Sequence, residues 1–310
     1  MQGLSVKQIG QYKLFYYNDE WQTPVITEYN IFKLFHSMNK IPSNYIAFPW
    51  ASLIDRKLTK LHPDTFTRIK FPSPCFTVIQ HIHFRKLIGL FKQIGITHIF
   101  ASHTSKSDTD LSKQYDINII AFPLYPAQYN NTLINTIENR QYYASFIGQY
   151  EDYYISKIRL NIFEIFTSEK YYVKRRDKWH YWDMVYGKNK TTNEAYEKEY
   201  KDILANSIFS LCPSGSGPNS IRIWESMSYG TIPIILADTL ILPQIKNINY
   251  SEFFIIWTEE HINILPNYIE SLIKNRPDKI KRMMHKNIEI YNKYFNINSQ
   301  HEIINDYFAL

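Results

Sequence analysis

An arginine and a glutamate three residues apart, Arg222 and Glu225, follow a loop that reads Pro213-Ser-Gly-Ser-Gly-Pro218. That spacing puts both side chains on one helical face, and a helix is expected from Asn219 or Ser220, both good N-caps, to a stop near Gly230. The loop is too rich in Gly, Ser and Pro to be helix or strand interior. Ser214, Gly215 and Gly217, with Asn219 and Ser220, would therefore bring backbone N–H groups and the positive end of a helix to an anion. Arg222 can pair bidentately with phosphate oxygens, and Glu225, one turn further, can accept hydrogen bonds from a ribose diol. Alone the pair would read as a surface ion pair. The loop before it turns the reading toward a nucleoside diphosphate.

Other residues could join such chemistry. Gly148 ends an apolar run, and Arg159 lies early in the helix expected after it, a second cation at a strand's end or a solvated helical arginine. Asp238 follows the run Ile232-Pro-Ile-Ile-Leu236, where a loop or capping role competes with a functional one. Asp108-Thr-Asp110 has the spacing of a DxD metal motif, yet two aspartates in a Ser/Thr-rich loop occur often by chance. For proton transfer at neutral pH, His103 and His81 are the candidate bases at expected strand ends, with His83, Asp55 and Glu28 behind them. Each histidine also has an ordinary structural reading. No Gly-x-Ser-x-Gly elbow, HExxH pair or Walker lysine loop is present.

The elements that must position these residues alternate. Strands are expected over Tyr12–Tyr17, Phe76–Gln80, Thr97–Ala101 and Ile117–Phe122, with helices over Glu28–Met38 and Phe84–Ile94. After a stretch without sheet pattern, Tyr125–Arg140, a second series begins. It comprises strand Tyr142–Ile147, helix Ile155–Phe166, strand Tyr171–Val173, helix Asn193–Leu204, strand Ile208–Leu211, the loop and helix above, strand Ile232–Leu236 and strand Phe253–Trp257. Helices Pro266–Lys274 and Pro277–Tyr294 close it. Strands separated by helices imply parallel, doubly wound sheets with ligands beyond their carboxyl ends.

Composition bounds the rest. The 310 residues suit two domains, and 45% hydrophobic against 21% charged residues leaves ample core and argues against wholesale disorder. A net charge of +6 admits nucleic acid, an anionic membrane surface or phosphorylated ligands. A pI of about 8.9 and the Lys174–Lys178 cluster are the whole case for nucleic acid, since biased composition and ordinary packing account for the 25 Tyr and 19 Phe. Cys75 and Cys212 have no metal or disulfide spacing. No signal peptide and no run near 18 apolar residues is evident.

A resemblance then emerges. Leu211-Cys-Pro-Ser-Gly, Ser220-x-Arg222-x-x-Glu225, Gly230-x-x-Pro233-x-Ile235, Asp238 and Leu242-Pro243 resemble the core motif of exostosin-like (GT47-like) glycosyltransferases. Tyr143-Ala-Ser-Phe146-x-Gly148 with Ile158-Arg159 is similar to that family's second-domain start, and Tyr250-Ser-Glu-Phe253 to its aromatic segment. Gly95-Ile-Thr-His98-Ile-Phe100 echoes a Gly-Arg-Asp-His-Phe element from which the Arg and Asp are missing. The resemblance implies a GT-B fold, α/β with two Rossmann-like doubly wound domains facing a central cleft. Residues 1–138 would form the acceptor-side domain, joined by a helix at 297–310, and residues 139–296 the donor domain.

It also implies an inverting transfer without metal or other cofactor, from a nucleotide sugar, often a UDP-sugar, to a glycan or lipid-linked glycan acceptor. Arg222 and Arg159 would hold the diphosphate and Glu225 the ribose. Nucleic acid is not an expected partner. Animal members are anchored in the Golgi membrane, whereas this sequence suggests a cytoplasmic enzyme of surface-glycan synthesis, peripheral at an inner membrane. The alternative is a non-catalytic carbohydrate-binding protein on the same fold.

Overall fold

The computed structural model describes residues 4–58, 70–131, 134–178 and 194–309. The expected helix start at Asn193 and the final Leu310 lie outside them. The chain forms two units: unit 1 comprises Met1–Tyr125, Thr239–Ile248 and Ile297–Leu310, and unit 2 comprises Pro126–Asp238 and Asn249–Asn296. The first division falls before the expected 138/139 boundary. The reason is local: the Gln128 amide donates to Glu225 at 2.9 Å and the Asn130 amide to Ser228 Oγ at 2.8 Å, both within unit 2. Residues 239–248 join unit 1 through an antiparallel bridge between Ser105 and Leu240.

Unit 1 is built on a six-stranded sheet whose spatial order follows the chain. The hairpin β1 (Ser5–Ile9) and β2 (Tyr12–Tyr16) is antiparallel. The next strands, β3 (Asn44–Ala47), β4 (Cys75–Ile79), β5 (His98–Ala101) and β6 (Asn118–Ala121), are parallel. Their apolar runs are nearly continuous because helices cover both faces. On one face Tyr45 and Phe76 meet Phe35 of α1 (Thr27–Ser37), and Phe76 also meets Phe308 of a C-terminal helix. On the other face Ile46, Ile99 and Ala101 pack with Phe91 and Ile94 of α3 (Ile88–Ile94). Two short helices were not anticipated, α2 (Trp50–Ile54) and α4 (Asp108–Tyr115). The second occupies the Ser/Thr-rich stretch expected to be loop.

Unit 2 holds five parallel strands, β7 (Tyr142–Gly148), β8 (Tyr171–Arg175), β9 (Ser207–Pro213), β10 (Ile232–Leu236) and β11 (Ile255–Ile256), in the order β11-β10-β9-β7-β8. The chain steps from β7 outward to β8 and then returns to place β9 on the other side of β7. The strand order reverses between β7 and β9, where open α/β sheets take their ligands. The helices are α5 (Ile158–Ile165), α6 (Glu194–Ala205), α7 (Ile221–Ser228), α8 (Leu265–Asn275) and α9 (Pro277–Ile290), while α10 (His301–Phe308) belongs to unit 1. The expected strand Phe253–Trp257 shrinks to two residues, Ile255–Ile256, after a 3-10 turn over Tyr250–Glu252. The chain after α9 is a π turn over Tyr291–Phe295.

Candidate functional site

At the reversal point β7 and β9 run side by side, so the residues that follow each strand converge. Arg159, second in α5, spans both ends: its Nε donates to the Ser214 carbonyl at 2.8 Å and its Nη1 to the Gln149 carbonyl at 3.0 Å. Two glycines make room for it. A Cβ on Gly215 would stand 2.7 Å from Arg159 Nη2, and one on Gly148 would stand 2.8 Å from the Phe146 ring and 3.5 Å from Arg159 Nη1.

Arg222, second in α7, donates its Nη2 to the Ile147 carbonyl. Its guanidinium lies 4.9 Å from the Phe146 ring centre and 5.0 Å from that of Tyr200, while Arg159 lies 5.6 Å from the same Phe146 ring. Two cations thus share one aromatic ring. Among the described residues neither forms an ion pair, and Nη2 of Arg159 with Nε and Nη1 of Arg222 keep no hydrogen-bond partner. Burial, with repulsion from Arg222, pulls Arg159 down to about 10, which leaves it charged at neutral pH. Desolvated guanidinium groups outside any ion pair are costly, and an anionic ligand between them lowers that cost.

Glu225 is only 2% exposed. Its carboxylate accepts from the Gln128 amide at 2.9 Å and the Tyr200 hydroxyl at 2.7 Å. Burial raises its pKa against the pull of those bonds and of Arg222. A cavity of about 100 Å³ is lined by Gly148, Arg159, Ser220, Arg222, Glu225 and Tyr200.

In unit 1 the two candidate bases differ. His81 has both ring nitrogens occupied: Nε2 lies 3.0 Å from Asp55 Oδ1, and Nδ1 accepts from the His83 amide at 3.0 Å. His103 is 7% exposed, and its buried Nδ1 has no partner among the described residues. Burial, then the charges of His81, Arg85 and His83, push it down to about 3, so it is neutral at pH 7. Glu28 is pushed up to about 8 by burial although the Gln80 and Ala51 amides donate to it. Asp108 is committed to Arg85, with contacts of 2.6 and 2.5 Å.

The family model of the exostosin GT47 domain matches residues 76–272, a span that takes in Arg159, the Gly/Ser loop and all of α7. The chain belongs to the exostosin GT47 family. Its two units, each an α/β fold on a mainly parallel sheet, agree with the pair of Rossmann-like domains expected from the family resemblance. The Exostosin-1 homolog of Caenorhabditis elegans is 27% identical over 110 residues, 35% of this chain and 29% of that protein. Human ribitol-5-phosphate xylosyltransferase 1 is 28% identical over 127 residues, 39% of this chain and 27% of that one. Each match therefore takes in less than a third of the relative's length. The crystal structure of Anabaena HepE in complex with UDP and glucose aligns over 86% of this chain and 77% of that one, with 11% identity and a TM-score of 0.46.

Within the GT47 motif the structure redistributes the expected parts. The Ser214 amide donates to the Leu236 carbonyl and the Gly215 amide to the Gly217 carbonyl, both at 3.0 Å, so these loop amides serve the fold and not an anion. Asn219 accepts from Trp224 Nε1 at 2.9 Å, and Ser220, the N-cap, makes no side-chain capping bond. The amides left open are those of Ile221 and Arg222, in the first turn of α7. Asp238 accepts from the Glu259 amide at 3.1 Å, the capping role that competed for it. Sequence reasoning missed Gln128, Tyr200, Arg176 and Lys178 in the cavity wall. The last two were visible as a basic cluster and were set against nucleic acid. The signal for their true place is the parallel pairing of β7 with β8, which sets Arg175 beside Gly148.

Proposed function

We propose that this chain is a glycosyltransferase that moves a sugar from a nucleoside diphosphate donor, a UDP-sugar, to a glycan acceptor with inversion and without metal. The observation that carries this reading is the pair of guanidinium groups outside any ion pair, Arg159 and Arg222, at the strand-order reversal of unit 2. Their open N–H groups and the first amides of α7 would take the diphosphate, whose charge grows as the glycosidic bond breaks. Tyr200 and Glu225 would face the ribose. Deprotonation of the acceptor hydroxyl needs a base. His103, whose ring keeps a free nitrogen, suits that role better than His81, whose nitrogens are both taken.

The same histidines favour a second reading. A ring held at about 3 is a weak base, which fits a non-catalytic carbohydrate-binding protein. Thermal denaturation with UDP, GDP and CMP tests the nucleotide site, because a ligand at 100 times its Kd stabilises by about 2.7 kcal/mol. A shift with UDP is expected, and no shift with any of the three would overturn the nucleotide site and with it the glycosyltransferase. Release of UDP from UDP-sugars by the intact chain, lost in His103→Ala with nucleotide binding retained, separates the enzyme from the binding protein.

A further inference from the structure

The net charge of the chain is concentrated in one segment. Between Lys274 and Lys293 there are seven Lys or Arg against two Asp or Glu, a surplus of five out of the chain's six. Most of these residues lie on α9, whose apolar side, Ile280, Met283, Met284 and Ile290, is buried in unit 2. The flank beside it carries Lys279, Arg282 and Lys286 at intervals of three and four, with Arg282 and His285 exposed and the two lysines half-buried. This face borders a shallow concavity of about 630 Å³ that also includes Glu252 and Glu289. Lys286 is paired with Glu289 at 2.9 Å, and Lys281 with Glu138 at 2.6 Å. Among the described residues no ion pair neutralises Lys274, Arg276, Lys279 or Arg282.

We propose that this face of α9 docks the protein on an anionic lipid bilayer. The cations are spread along about 10 Å of helix and do not converge on a point, which suits a layer of headgroups better than one compact anion. Among the described residues no Tyr, Trp or Phe lines the concavity, which gives single-stranded nucleic acid no stacking platform there. No helix among the described residues is long and apolar enough to cross a membrane, so the attachment is peripheral. The proposal is independent of the donor site in unit 2.

Sedimentation of the intact chain with vesicles tests it. Binding is expected to phosphatidylglycerol-rich vesicles and not to pure phosphatidylcholine, and it should fall steeply with salt. Each Lys or Arg near such a surface adds about fivefold to partitioning, so Lys279→Gln, Arg282→Gln, Lys286→Gln together should weaken binding ~100-fold. Arg282 is exposed and the two lysines are half-buried, and an unchanged melting temperature without ligand checks that the variant is folded. Absence of vesicle binding at low salt overturns the proposal, even if heparin or DNA binds. So does an equal loss on Lys33→Gln, Lys106→Gln, Lys113→Gln in unit 1.

Discussion

Arg159 is held by two backbone carbonyls and two aromatic faces, none of which cancels its charge. Replacing it with Met removes a desolvated cation together with its bonds, two effects of opposite sign. The melting temperature without ligand should therefore move little, while the UDP Kd measured by calorimetry rises about 10- to 100-fold, the worth of charge-assisted bonds. Gly215→Ala reaches the same guanidinium from behind. A Cβ 2.7 Å from Nη2 must displace it, and the end of a flexible side chain gives way cheaply, so weaker UDP binding with little loss in urea denaturation is expected. Retained UDP affinity in Gly215→Ala would mean that Arg159 does not touch the nucleotide. The closeness of Arg222 to Glu225 was legible because spacing on one helix is local information. The reach of Arg159 to Ser214 was not, since it depends on β7 pairing with β9, whose residues are more than 60 positions apart.

At the scale of elements, α7 is buried on nearly every side, with Ile223, Trp224, Met227 and even Arg222 and Glu225 inside. Sequence predicted its extent well, because N-cap residues and Gly230, at φ +66°, bracket it. Which N-cap residue acts was not legible. Ser220→Ala should cost under about 0.5 kcal/mol in chemical denaturation because no side-chain capping bond exists to lose. Asn219→Ala should cost about 1–3 kcal/mol, since it strands the indole N–H of Trp224, whose ring is fully buried 4.8 Å from Phe295. Equal costs would show that Ser220 caps in solution. The miss at α4 has a different origin: its exposed face is polar enough to look like loop, and its anchor, Asp108 to Arg85, links residues 23 apart.

At the scale of the molecule, buried titrating groups set opposing pH slopes. Glu28 is raised from 4.5 to about 8, so the folded chain holds that proton more tightly than the unfolded one; its contribution is full below 4.5 and lost as pH rises through 8. His103 is lowered from 6.5 to about 3, so its contribution is full above 6.5 and lost as pH falls toward 3. The two offset each other between these ordinary values. Glu28→Gln should gain melting temperature relative to the parent chain as pH rises from 4.5 to 8, measured by calorimetry across that range. A constant difference would show that Glu28 is ionised throughout. Neither value was legible, because burial is a property of the whole fold. The division into units is equally global. Unit 1 begins first in the chain yet includes α10, where Phe308 packs on Phe76, Gln300 donates to the Leu124 carbonyl and Asn30 donates to the Ile297 carbonyl. On the ribosome, unit 2 therefore has all its parts once Asn296 emerges, while the unit whose synthesis started earlier still waits for its last helix.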